Sequence, residues 1–244
     1  MMRDLTTVVW KEWRELLAGA GGRAGAMRMV IGLSGMGVVF PVRGGPAFLL
    51  GWQAALGPVL LACMIATAVA ADAFAGERER HTLETLLATR LPDGAVLLGK
   101  VAGIALWSWA HALALLPVSL VAVNVAFRDG APHGYAATPL ALAVLGGLVG
   151  AVLVAALGVL VSLRADGVRQ AQQALGLAVV ALFMGPLLVW RVLPAGGRDA
   201  LARAFAGATP ATLGWSALGA GTAAAALLVA VALLRFRRTR LSFS

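Results

Sequence analysis

The sequence predicts an all-α membrane protein with six transmembrane helices. Of its 244 residues, 60% are hydrophobic and 13% are charged, a balance typical of integral membrane proteins. Ala and Leu dominate the long apolar stretches, and none shows the alternation of a membrane barrel strand. We therefore expect a single transmembrane domain, residues 1–244. Its predicted spans are roughly 24–42, 47–75, 95–127, 137–163, 171–190 and 211–234.

The first of these stretches differs from the others in length. The last five have at least the roughly 20 residues that cross ~30 Å of hydrocarbon as a helix. In the first, Arg28 leaves only residues 29–42 uninterrupted. We interpret it as a short span in which Arg28 extends to the membrane interface.

Residues 1–20, before this span, predict a helix with one apolar face. Charged residues mostly occupy its other face, which is typical of a helix lying in the membrane interface, with Trp10 and Trp13 at headgroup level. An ordinary surface helix of a soluble domain is the alternative. The apolar face carries Leu5, Val9, Trp13, Leu16 and Leu17.

The segment between the second and third spans is densely charged. Seven charges fall within the seventeen residues from Glu77 to Asp93, and such a segment cannot lie in lipid. Leu83, Leu86 and Leu87 nevertheless fall on one face of a short helix. A charged loop with one apolar helical face suits docking to a soluble partner. Alternatively, the charges only solubilise the loop and fix the topology.

The positive charges predict the orientation. Fifteen of the 20 Lys and Arg residues fall on one side of the six predicted spans and five on the other, so both termini and the charged loop should be cytoplasmic. The net charge of +9 is then mainly a topology signal with some attraction to lipid headgroups. Since no cluster of basic and aromatic residues accompanies it, we expect no nucleic-acid partner.

Few polar residues within the spans could carry chemistry. His111 lies beside Trp107 and Trp109, where a structural histidine is expected and a role in a pathway or gate is the alternative. Gly32-Leu33-Ser34-Gly35 matches the GxSG pattern of rhomboid intramembrane proteases, and Ser34 with His111 would form a dyad. No further residue is suited to stabilising an oxyanion, however. With one cysteine and no metal-ligand spacing, we expect no catalytic, metal or cofactor residues.

The arrangement along the chain resembles the type-2 permeases of ATP-binding-cassette (ABC) exporters. The order is an amphipathic Lys-Glu-Trp-Arg-Glu-Leu-Leu helix, two spans, Gly-Glu-Arg-Glu-Arg-His-Thr-Leu-Glu-Thr-Leu-Leu, and Leu-Leu-Gly-Lys. The layout covers essentially the whole chain, and the motif is specific at 76–100 and moderately so at 162–173. The sequence has no GxxxxGK[ST] motif, so it should not bind ATP through a P-loop and we expect no enzymatic activity.

The resemblance implies a partner-binding loop. In this family the loop after span two forms a coupling helix, here Arg78 to Leu87, which docks to the ATPase, and the N-terminal helix is a connecting elbow. His81 stands where the family often has Gly, and Thr89-Arg90 where Ser-Pro is common. The implied docking residues are Glu77, Arg78, Glu79, Arg80, Thr82, Leu83, Glu84, Leu86 and Leu87.

The function implied is that of a permease subunit in a prokaryotic plasma membrane. It would pair with a second permease copy or a paralogue and with two separate ATPase subunits, which would hold the ATP and Mg²⁺. A membrane scaffold or regulator driven by an ATPase, without transport, is the alternative. The cargo is not readable from the sequence, and residues 191–210 form either a short outer helix or a re-entrant segment.

Overall fold

The computed structural model describes residues 6–14, 32, 34–81, 92–128 and 130–236, and all regular structure in these residues is helical. A π-helical turn, Gly35–Val39, lies between α1 and α2. The helices in chain order are 6–14 (α1), Phe40–Gly44 (α2), Pro46–Leu50 (α3), Gln53–Glu79 (α4), Asp93–Leu113 (α5), Leu115–Ala126 (α6), Ala137–Ser162 (α7), Val168–Val192 (α8), Ala195–Phe205 (α9) and Pro210–Arg235 (α10).

Five candidate spans lie in the described residues: α4, α5 with α6, α7, α8 and α10 are long and apolar enough to cross a membrane. They correspond to the last five predicted spans, so the all-α class is confirmed. About half of the first predicted span, residues 32 and 34–42, is described, and this part forms the π-helical turn and the start of α2. The sixth span therefore stays a prediction.

Prolines and glycines divide two of the predicted spans. The ring of Pro117 conflicts with the carbonyl of Leu113, four residues earlier, and α5 ends at Leu113. The predicted span 47–75 is likewise interrupted, since α3 ends before Gly51 and α4 begins at Gln53. At its other end α4 continues to Glu79, into the charged segment that we expected to be a loop.

The core is the contact between α4 and α7, which is built from small residues. Ala62, Ala66 and Ala70 are fully buried. A methyl group added at Gly158 would lie 2.3 Å from the Ala70 Cβ, so the two backbones approach closely there. Because neither helix could move outward without opening this contact, α4 and α7 form the rigid centre of the bundle.

Two spans lie at the periphery. Among the 25 residues of α8 only Ala171 and Leu175, both near its start, are buried within the chain. In α10 only Ala225 and Ala232 are buried. The segment between them, left open by the sequence, contains the exposed helix α9, which begins after Pro194.

Candidate functional site

The elements that flank the charged loop meet at the charged end of α4. α4 ends at Glu79, and His81 adopts a left-handed conformation with φ 56°. The short helix that we expected from Arg78 therefore does not begin there. Thr82, Leu83, Glu84, Leu86 and Leu87, the remaining predicted docking residues, lie outside the described residues.

Glu77 belongs to a buried charge network that spans three helices. Its Oε1 accepts a hydrogen bond from the Lys100 Nζ of α5 at 2.8 Å, and Lys100 also donates to Glu12 Oε1 of α1 at 2.9 Å. The Lys100 side chain is 2% exposed, that of Glu77 7% and that of Glu12 10%. Lys11 lies at the rim, 3.7 Å from Glu77. We call Glu12, Glu77 and Lys100 the buried triad.

Arg78 and Glu79 tie α4 to the turn between α7 and α8. The Arg78 guanidinium donates to the carbonyls of Ala165 (2.5 Å) and Leu163 (3.1 Å). Glu79 accepts from the backbone N–H of Val168, the first residue of α8, at 2.8 Å. Arg78 thus binds carbonyls beyond the end of α7, and Glu79 supplies a negative charge at the start of α8.

A serine makes a second connection between α4 and α7. The Ser162 hydroxyl accepts from the backbone N–H groups of Phe74 (3.0 Å) and Ala75 (2.8 Å) and donates to the Ala71 carbonyl at 3.1 Å. Ser162 is fully buried. Its side chain therefore satisfies backbone groups of another helix one turn before the charged end of α4.

The fourth charge of this end, Arg80, is at the surface. It donates to the Asp72 carboxylate at 3.1 and 3.3 Å, and both side chains are about half exposed. Of the four predicted docking residues that the structure describes, Glu79 and Arg80 are exposed, whereas Arg78 is half-buried and Glu77 faces Lys100.

α1 packs along the first half of α5. A methyl group at Gly99 would lie 2.6 Å from a Val8 methyl, and one at Gly103 would lie 3.2 Å from the Glu12 Cβ. Trp13 stacks edge-to-face on Trp107, with ring centroids 6.0 Å apart. The step from Val8 to Glu12 on α1 matches the step from Gly99 to Gly103 on α5, so the two helices run in the same direction.

The predicted membrane-interface residues of α1 differ in their surroundings. Trp10 is 64% exposed, as a headgroup contact requires, whereas Trp13 is partly buried against Trp107. Residues 6–14 are helical, so the amphipathic helix is present in the described part. Its position in the membrane interface stays a prediction.

His111 and Ser34 are not joined in the described residues. The His111 ring stacks on Trp107 at 4.5 Å, and its Nδ1 lies 2.8 Å from the Trp107 carbonyl oxygen. This is the geometry of a structural histidine, and a gating role stays a prediction. Ser34 is exposed before the π-helical turn, and no hydrogen bond to His111 is found within the described ranges.

Sequence reasoning assigns no partner to Glu12, Lys100 or Ser162. Glu12 contributes to the amphipathic pattern, and Lys100 contributes to the charge count and to the Leu-Leu-Gly-Lys motif, although Lys100 lies seven residues after the helix start at Asp93 and so inside a span. A lysine two turns into an apolar helix is a signal that a buried carboxylate faces it. Nothing in the sequence pairs Ser162 with residues 71–75.

A comparison with known families identifies the family of the chain. The profile of the ABC-2 family transporter proteins matches residues 52–241, which is most of the chain. The chain therefore belongs to the ABC-2 transporter family, and it is an integral membrane permease component of an ABC transporter. Membership implies partnership with ABC ATPase subunits. None of the curated proteins matches this chain.

The permease components of this family are typically not enzymes. In the parts of the chain that the structure describes, no group of three or more His, Cys, Asp or Glu side chains could hold a metal ion. The described site consists of ion pairs and of hydrogen bonds from side chains to backbone groups of other helices.

Proposed function

We propose that this chain is the permease subunit of an ATP-driven exporter and receives force from two separate ATPase subunits through residues 80–87. The observation that carries the proposal is the bracing of the loop base. One end of the loop is tied to α7 and α8 by Arg78 and Glu79, and its two ends are joined by Glu77 and Lys100. A loop held at both ends transmits displacement to the spans rather than absorbing it.

Within this proposal the charged residues divide into two groups. Glu77, Arg78 and Glu79 hold the loop base, because their side chains bond to other helices or to the turn between them. Arg80 and the predicted docking residues from Thr82 to Leu87 would form the docking surface, with Leu83, Leu86 and Leu87 as apolar anchors and Thr82 and Glu84 at the polar rim. The ATPase would bind ATP and Mg²⁺, and this chain neither.

The exposure of α8 supports a second permease copy. Beyond Leu175 no residue of α8 is buried within the chain, although Val179 and Phe183 still pack against the core, and Leu177, Leu188 and Val192 are 72%, 62% and 83% exposed. Two ATPases also require two docking loops, which a homodimer or a pair with a paralogue supplies. In the orientation that the positive charges predict, both termini and the docking loop face the cytoplasm of a prokaryote, with the remaining apolar surface in lipid.

The test is co-purification of the tagged permease with the ABC ATPase of its own genome neighbourhood. We expect wild type to retain the ATPase, and the Glu84→Arg variant and the Leu83→Asp/Leu86→Asp double variant to lose it. The matched control is Leu201→Asp/Phe205→Asp, which places the same charges on the exposed helix α9. Retention by all variants would overturn the docking assignment. Stimulation of ATP hydrolysis by a cargo would separate transport from a scaffold role.

A further inference from the structure

The buried triad has a composition that stability alone does not explain. One ammonium lies between two carboxylates, and all three are withdrawn from water. Removing charges from water offsets most of what their attraction gains, so apolar residues of similar volume would pack at least as well. The best-attested use of buried ions is to fix one arrangement of elements against its alternatives.

Lys100 is the central cation of the triad, and both carboxylates share it, at 2.8 and 2.9 Å. Without it, the carboxylates of Glu12 and Glu77 would lie near each other as like charges, with Lys11 at the rim 3.7 Å from Glu77. Lys100 therefore provides the buried ionic link between α1 and α4, in addition to the apolar packing of Val8 and Trp13 on α5.

The triad also lies at the base of the loop. Glu77 is two residues before the end of α4 at Glu79, and Lys100 is in the second turn of α5. These two residues flank the loop, residues 82–91, while Glu12 lies 65 positions before Glu77 in the sequence. A displacement of either end of the loop thus reaches α1 through the same ammonium group.

We infer that the buried triad is a joint that makes α1 move with the base of the docking loop, with Lys100 as its positioning residue. Gly99 and Gly103 let α1 lie close enough to α5 for Glu12 to reach Lys100. The joint is a property of the permease alone. Its role in coupling rests on the proposed function.

The first experiment measures the joint without an ATPase. Spin labels on cysteines replacing the exposed Trp10 of α1 and Arg164 of the α7–α8 turn, in a Cys63→Ala background, report their distance by electron paramagnetic resonance in detergent. We expect one narrow distribution in the otherwise unchanged protein and a broad one in Lys100→Met. The double variant Glu12→Lys/Lys100→Glu restores a cation between carboxylates and should narrow it again.

Two variants keep the result interpretable. Glu12→Gln leaves the Lys100–Glu77 pair intact and should release α1 in a protein that still folds. Asp72→Asn breaks the exposed pair with Arg80 on the same helix and should leave the distribution narrow. A narrow distribution in both Lys100→Met and Glu12→Gln would overturn the joint.

The second experiment adds the ATPase. In Glu12→Gln we expect the ATPase to co-purify as with wild type, while permease-dependent stimulation of ATP hydrolysis falls by at least about fivefold. Unchanged stimulation would overturn the coupling role. If wild type itself retains no ATPase, the proposed function fails, and the spin-label result still decides the joint.

Discussion

The end of the bundle that carries the charged loop and the opposite end are held together differently. We call them the cytoplasmic and the outer end, following the orientation that the positive charges predict. At the cytoplasmic end, side-chain hydrogen bonds join residues 88 positions apart, as between Lys100 and Glu12 or Phe74 and Ser162. At the outer end the side-chain hydrogen bonds are local, joining Asn124 to His133 nine positions away and Ser119 to Tyr135 sixteen positions away, while a backbone bond from Ala136 to Leu49 joins distant residues. Side chains at the cytoplasmic end therefore connect separate spans, whereas those at the outer end fasten a loop to the span that precedes it.

The two ends of the bundle also differ in the charge of the groups that make their contacts. The cytoplasmic end buries ions, while the outer contacts are between amide, hydroxyl and phenol groups. Burial raises the pKa of the Tyr135 phenol, although the hydrogen bond with Ser119 opposes this, so the phenol stays neutral at physiological pH. Breaking a side-chain contact at the cytoplasmic end should hence affect several helices, and breaking one at the outer end should affect only one.

The largest effect is expected from Glu77→Ala, which leaves Lys100 with one carboxylate. Breaking a buried pair by removing one partner lowers the free energy of unfolding by about 3–5 kcal/mol. Asp72→Ala on the same helix removes an exposed pair with Arg80 and should lower it by about 0–1 kcal/mol. Unfolding of both purified variants by SDS titration measures the difference. Equal losses would mean that the triad is not effectively buried.

Ser162→Ala should have the next largest effect. It removes the acceptor of two backbone N–H groups and the donor to a third backbone group, which lowers the free energy of unfolding by about 2–3 kcal/mol. Ser108→Ala is the matched control, because Ser108 is equally buried but bonds only to the Ile104 carbonyl of its own helix. That change should stay within about 0.5 kcal/mol of wild type. The same SDS titration compares the two serines.

At the outer end, Asn124→Ala should lower the free energy of unfolding by about 1–2 kcal/mol. Its amide bonds both the N–H and the carbonyl of His133, at 2.7 and 2.9 Å. Because these bonds fasten only a loop, ATPase retention and the Trp10–Arg164 label distance should not change. A broadened label distance in this variant would contradict the separation of the two ends.

The contrast between the ends also explains what the sequence could predict. Composition and the length of apolar stretches predicted the all-α class and the five described spans, because crossing hydrocarbon requires nearly continuous apolar helix. Seven charges identify the charged segment in the sequence, but the sequence does not show which of these seven side chains are buried. Periodicity places Glu77 on a helix face, whereas the burial of Glu77 depends on Lys100 and Glu12, which belong to other helices. Pairings across 88 positions are set by tertiary packing.

The smallest effect concerns how each end makes its turn. His81 has φ 56°, a region that is strained for residues with a Cβ, whereas the outer turn has Gly130 at φ 95°. His81→Gly should therefore raise the free energy of unfolding by about 0.5–1 kcal/mol, provided that the histidine side chain adds no compensating contact. Gly130→Ala should lower it by about 1 kcal/mol, since it creates at the outer turn the strain that His81 carries.

Thermal unfolding of both variants in detergent measures whether each substitution raises or lowers the melting temperature. A lower melting temperature in His81→Gly would show that the His81 side chain stabilises the turn by more than its backbone strain costs. A higher one would show that the strain is uncompensated in the isolated permease. His81→Gly should then dock the ATPase as wild type does, since the turn keeps its shape.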